Sequence, residues 1–211
     1  MSFLRFVRDN ASFLAAGALL SFGSSFGQTF FISIFAGEIR AEFGLSHGAW
    51  GGIYTLGTTA SALVMIWAGG LTDRFRARRL GPAAMALLAI GCLGMAALPG
   101  GWAWALVPVI FVLRFAGQGM MIHISVVAMA RWFAAGRGKA LSVASMGVAL
   151  GQAVLAQDAV TELTLIDLDR RAVEAARRNL TDPRARHLWA DVRTLDSLTD
   201  LDFVVANPPF H

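Results

Sequence analysis

Gly69-Gly70-Leu71-Thr72-Asp73-Arg74-Phe75-Arg76-Ala77-Arg78-Arg79-Leu80 is a short, strongly basic stretch between two long apolar runs. Arginines this dense resist burial in hydrocarbon, while the runs on either side are long enough to cross a slab of about 30 Å. The stretch therefore reads as a loop at a membrane surface, and the chain before residue 156 is organised around it.

Composition agrees. Apolar residues make up 56% of the 211 and charged residues only 15%, well short of a soluble average of about 25%. Up to residue 155 there are eleven basic residues against four acidic ones, Asp9, Glu38, Glu42 and Asp73; beyond it there are seven against ten. A basic net charge of +4 can signal nucleic-acid binding. Here the front cations lie between apolar runs, so membrane topology explains them. The lone Cys92 permits no intrachain disulfide and reads as a small buried residue. No cleavable signal peptide and no metal site are expected.

Working outward from the loop, the spans expected are about 11–36, 49–70, 82–98 and 102–130, with a marginal fifth from Ala140. The first holds Ser21, Ser24, Ser25, Gln28 and Thr29, which suit close helix packing or a polar cavity. Pro99-Gly100-Gly101 reads as a tight turn. Arg5 and Arg8, the loop arginines, and Arg131, Arg137 and Lys139 fall on alternate connections, which places the amino terminus and the even loops in the cytoplasm. The expected location is the inner membrane, multi-pass, with the bilayer and a small solute as partners. Arg114 inside the fourth run is costly in lipid and is a functional candidate. His123 reads as a packing histidine, with a proton relay as the sharper alternative.

Gly69 with Asp73-Arg74 and Arg78-Arg79, followed by Arg114-Phe115-Ala116-Gly117-Gln118-Gly119, resembles two motifs of the major facilitator superfamily of transporters, in the family's order. The chain departs from the pattern at Arg76, where the family usually has glycine. The resemblance covers residues 1–155 and implies a partial facilitator bundle of four to five spans. It implies a gating role for Asp73, Arg74, Arg78 and Arg79, and a structural or coupling role for Arg114 near the translocation path. Gly138, Gly147 and Gly151 are similar to the family's fifth-helix glycine pattern, without its following proline.

From Val160 the pattern becomes that of an α/β protein. Leu163 to Ile166 reads as a strand ending at Asp167, Asp169 as the cap of a helix over 170–180, and 187–190 as a strand ending at Asp191. A third strand, 203–206, runs into Asn207-Pro208-Pro209-Phe210-His211. Residues 156–211 resemble the middle of a class I S-adenosylmethionine-dependent methyltransferase, and the ending resembles the ribosomal-RNA guanine type. That resemblance implies cofactor binding by Asp167 and Asp191. It implies that Asn207 and the Pro208 carbonyl take the target amino group, with Pro209 and Phe210 completing the catalytic motif and Phe210 stacked on a flipped base. The family's first strand and glycine loop should precede Thr161. Residues 145–151 occupy that place and read as membrane helix.

The sequence-level reading is an incomplete α/β methyltransferase fragment behind a partial helical membrane bundle. It describes a chimeric or truncated chain, joined near 147–158 and inactive as it stands. S-adenosylmethionine is expected by resemblance only and not to be held by this fragment, and nucleic acid is a partner only if the methyltransferase were complete. If the fifth run spans, the tail emerges opposite the cytoplasm. The other readings are a transporter-like protein with a soluble appendage and a membrane-anchored RNA methyltransferase.

Overall fold

The computed structural model describes residues 3–156, the segments 163–167 and 185–189, and positions 170, 173, 174 and 177. The chain divides into two units, Met1–Val154 and Leu155–His211.

The first unit is helical. In order come α1 (Phe3–Asp9), α2 (Ala11–Gly23), a 3₁₀ turn (Ser24–Gly27), α3 (Thr29–Ile34), α4 (Ala36–Glu42), α5 (His47–Ala68), α6 (Leu71–Arg74) and α7 (Ala77–Ala97). A 3₁₀ turn at Ala103–Ala105 leads into α8 (Leu106–Leu113), a π-helical stretch (Arg114–Met121) and α9 (Ile122–Trp132), which together form one rod. After Ala134–Gly136 comes α10 (Arg137–Ala156). Among the described residues, three helical rods are long and apolar enough to cross a membrane: His47–Arg74, Ala77–Ala97 and Ala103–Trp132. A fourth is made if Ala11–Ile34 and Ala36–Glu42, bent by 70°, count as one broken span.

Packing makes the Ala103–Trp132 rod the centre, 44% buried over its most apolar window against 17% and 22% for the other two. Its inner residues Leu106, Ile110, Ala116, Met121, Ile124 and Met129 are almost wholly buried, against α5, α7 and α2. The outward faces carry Leu63, Ile66, Trp67, Ile90, Leu93 and Leu150, all exposed. In water such a surface promotes association; in lipid it is simply solvated. Exposed Trp67 and Trp132 mark one end of the bundle and Trp102 and Trp104 the other, the two aromatic levels of a membrane protein.

Local chemistry sets the ends. Ser46 caps α5 by accepting from the Ala49 N–H at 3.1 Å. The turn expected at Pro99-Gly100-Gly101 is present, with Gly101 at φ +95° and the Trp102 N–H on the Pro99 carbonyl. Two expectations need correction. The first run is not one helix: it breaks through Ser24–Gly27 to Gln28, whose backbone is extended at ψ 154°, and bends again before α4. The third span starts at Ala77 rather than Pro82, because the bond that Pro82 cannot donate falls beside exposed Arg78 and Arg79, within reach of solvent.

In the second unit, β1 (Leu163–Asp167) and β2 (Ala185–Trp189) pair in parallel, Leu163 opposite Ala185 and Asp167 opposite Trp189. Parallel strands need a crossover, and positions 170, 173, 174 and 177 between them are helical, Val173 buried and Arg170 paired to Glu174 at 3.3 Å. The second strand lies two residues earlier than expected at its start. The strand expected at 203–206 lies outside the described residues.

The break in the first span is tolerated only through glycine. A Cβ on Gly27 would sit 2.2 Å from the Leu113 carbonyl oxygen and 2.8 Å from Gly117 Cα, both backbone. Gly27→Ala should therefore destabilise the detergent-solubilised chain by about 2–3 kcal/mol. Gly52→Ala, inside α5 and with no described residue of another element within 4 Å, should be neutral or stabilising by up to about 1 kcal/mol. Thermal unfolding of the two variants side by side measures the difference.

Candidate functional site

Arg114 opens the π-helical stretch and is buried, 7% exposed. Its Nη1 donates to the Gly27 carbonyl at 3.2 Å, and its guanidinium lies 5.7 Å from the Tyr54 ring centroid. The first contact supplies a donor to the backbone of the broken span, where water is excluded; the second lays a cation on an aromatic face. Gly27 and Gly117 bring the two backbones close enough for this, a Cβ on Gly117 falling 2.6 Å from Gly27 Cα. Arg114 Nε, Tyr54 Oη, Thr58 Oγ1 and Ser25 Oγ are buried without a hydrogen-bond partner among the described residues. Of these, Arg114 and Tyr54 are in contact, while Ser25 Oγ faces Gly151 of α10.

Serines staple the same region. Ser21 Oγ donates to Ser125 Oγ at 3.0 Å, Ser125 Oγ to the Gly17 carbonyl at 2.8 Å, and Ser24 Oγ to the Ser21 carbonyl at 2.6 Å. Of the hydroxyls expected for close packing or a polar cavity, Ser21 thus serves packing against α9, while Ser24 bonds back within its own span. Ser125 was not singled out in the sequence. Its place opposite Ser21 is a tertiary fact that a helix pattern does not reveal.

The basic loop folds into α6 and docks on α9. His123 Nε2 is 3.0 Å from the Gly69 carbonyl, so that nitrogen carries the proton, and Thr72 Oγ1 donates to the same carbonyl at 2.9 Å. Arg131 Nη1 donates to the Thr72 carbonyl at 2.7 Å, and Arg131 Nη2 pairs with Asp73. His123 therefore has a bonded packing place. Asp73 is held by Arg131, which the sequence offered only as a topology marker. Arg74, Arg78 and Arg79, grouped with Asp73 by the motif, are exposed and form no ion pair among the described residues. Both members of the Asp73–Arg131 pair are more than half exposed, so by itself the pair contributes only about 0–1 kcal/mol.

The helix α10 sits on α2 through small residues. Ala140, Ala144 and Gly151 are buried; a Cβ on Gly147 would lie 2.1 Å from the Ala18 carbonyl oxygen, and one on Gly151 2.0 Å from Ser25 Oγ. The four-residue spacing of these glycines lets two backbones touch.

Of the methyltransferase residues, Asp167 ends β1. Asp191, Asn207, Pro208, Pro209 and Phe210 lie outside the described residues.

The comparisons fall on these two units. The family described as Major Facilitator Superfamily matches residues 17–156, and the family described as Methyltransferase small domain matches residues 130–211. No curated protein and no solved structure matches the chain. The two family matches overlap over residues 130–156, the end of α9 and all of α10. With the facilitator match covering most of the chain and the helical membrane bundle beneath it, the chain belongs to the Major Facilitator Superfamily, and its second unit carries a methyltransferase small-domain segment.

Proposed function

We propose that this is a chimeric chain, the opening spans of a facilitator-type solute transporter joined to a methyltransferase fragment, and that residues 1–211 by themselves neither transport nor methylate. One observation carries the reading. Residues 130–156 are claimed by both families, and they fold as the end of α9 and the whole of α10. Had this segment served the methyltransferase, it would supply the first strand and the glycine loop. Instead Gly147 and Gly151 turn their bare faces onto α2, where no cofactor fits between them and the Ala18 and Ser25 backbone and hydroxyl. What supports a methyltransferase origin for the rest is the parallel pair with Asp167 at its carboxyl end.

In this reading Arg114 holds the broken first span against the central rod. In a complete transporter it would stand beside the solute path, with Tyr54 as its polar neighbour. The group Asp73, Arg74, Arg78 and Arg79 would gate by making and breaking the contact of α6 with Arg131. Asp167 and Asp191 would hold S-adenosylmethionine, and Asn207 to Phe210 the target amino group, only in a domain with its glycine loop restored. We place the chain in the inner membrane with its amino terminus inside, supported by the arginines gathered at one end of the bundle.

Two outcomes are expected. Titration calorimetry of the full detergent-solubilised chain with S-adenosylmethionine should give no measurable heat of binding. A micromolar dissociation constant, about −8 kcal/mol, abolished by Asp167→Ala would instead support a membrane-anchored methyltransferase. For orientation, a single cysteine at Phe75 in a Cys92→Ser background should resist an impermeant maleimide in intact cells and react once they are opened. Reaction in intact cells would reverse the topology.

A further inference from the structure

Charge, shape and surface chemistry coincide at the arginine-rich end of the first unit. α1 reaches this end through Phe6, whose ring meets Phe133 at 5.3 Å, so Arg5 and Arg8 join the loop cations there. Acids are few: Asp9 is engaged by Arg5 and Arg8, and Asp73 by Arg131. Arg74, Arg76, Arg78 and Arg79 are exposed and unpaired with any acid among the described residues.

Three of these arginines, Arg74, Arg76 and Arg78, line a cleft of about 580 Å³. Its lining also takes in the half-exposed rings of Phe13, Phe75 and Trp132 and, on α9, Val127 and Arg131, with Ile124 and Ala128 nearly buried beneath them. Phe13 and Trp132 meet edge to face at 5.0 Å and are each about half exposed, an aromatic pair at the bundle's end. The Asp73 carboxylate also borders the cleft, but its charge is answered by Arg131.

A cleft lined by both arginines and exposed hydrocarbon is amphipathic. Inorganic phosphate would satisfy the arginines and leave the hydrocarbon bare; a neutral lipid would do the reverse. An anionic phospholipid satisfies both, and clefts of this kind between membrane helices are where such headgroups settle. We infer that this cleft binds an anionic phospholipid, with its headgroup phosphate on Arg74, Arg76 and Arg78 and its acyl chains along the α9 wall beside Trp132. The site requires only the bundle in a bilayer and is independent of transport or methyl transfer.

The test uses the full chain in dodecyl maltoside, supplied with equal amounts of dioleoyl phosphatidylglycerol and dioleoyl phosphatidylcholine, with retained lipid counted by native mass spectrometry. Phosphatidylglycerol should be retained over phosphatidylcholine by about tenfold. The pair Arg76→Gln and Arg78→Gln should bring it down to the phosphatidylcholine level, while Arg76→Lys with Arg78→Lys should keep most of the preference. Arg5→Gln with Arg8→Gln removes the same charge at the same end and should change retention by less than about twofold. Equal retention of the two lipids by the unaltered chain would overturn the inference. So would an equal loss in the two glutamine pairs, which marks diffuse charge, or displacement of the lipid by millimolar inorganic phosphate, which marks a simple anion site.

Discussion

A helix that breaks inside hydrocarbon leaves backbone groups with no water to take them, and the first span of this chain breaks between Ser24 and Gln28. The bundle is built around that constraint. Arg114 is the one cation within the apolar run of the central rod, and it reaches the Gly27 carbonyl from the π-helical stretch. Glycine at 27 and 117 lets the backbones come within reach, and Ser125 holds α2 to α9 about two turns beyond. A charge that looks expensive in the sequence is thereby tied to a broken span that would be expensive without it. Widened π turns are commonly found at functional positions, and here the widening begins at the residue that meets the break.

The second constraint is that one segment can adopt only one structure. Residues 130–156 satisfy the sequence preferences of two unrelated families because Ala, Gly, Leu and Val serve both a membrane helix and a strand with a glycine-rich loop. Packing breaks the tie. Small side chains at 140, 144, 147 and 151 fall on one face of a helix, and α2 offers a matching surface at Ala18, Phe22 and Ser25. A glycine loop needs its bare backbone turned toward a ligand, and these glycines turn theirs toward another helix.

Much of this was legible in the sequence, where the information is local. Span positions follow from runs of apolar residues, and the loop at 69–80 from its arginines, so both lie close to where they were expected. The parallel strands were legible because Leu163 to Asp167 is an apolar run with a turn signal behind it. What escaped is tertiary. Ser24, Ser25 and Gln28 read as a packing face or a polar cavity, and neither reading contains the break, which is met by Arg114, 87 residues from Gly27. Asp73 has arginines as neighbours in sequence, yet its partner is Arg131 on another helix, because α6 places the carboxylate across from α9. For His123, read as a packing histidine with a proton relay as the alternative, the Gly69 carbonyl supplies the hydrogen bond a packing histidine needs.

The proposed join depends on residues 140–154 forming a docked helix. Amide hydrogen exchange of the full chain in lipid nanodiscs, followed by mass spectrometry of peptides covering this segment, tests that most directly. Exchange should be slow across 140–151, as slow as in the central rod, because each amide is bonded within the helix and the face bearing Gly147 and Gly151 is closed by α2. Exchange complete within seconds around 147–151 would mean an open glycine loop. It would contradict the account and return the segment to the methyltransferase.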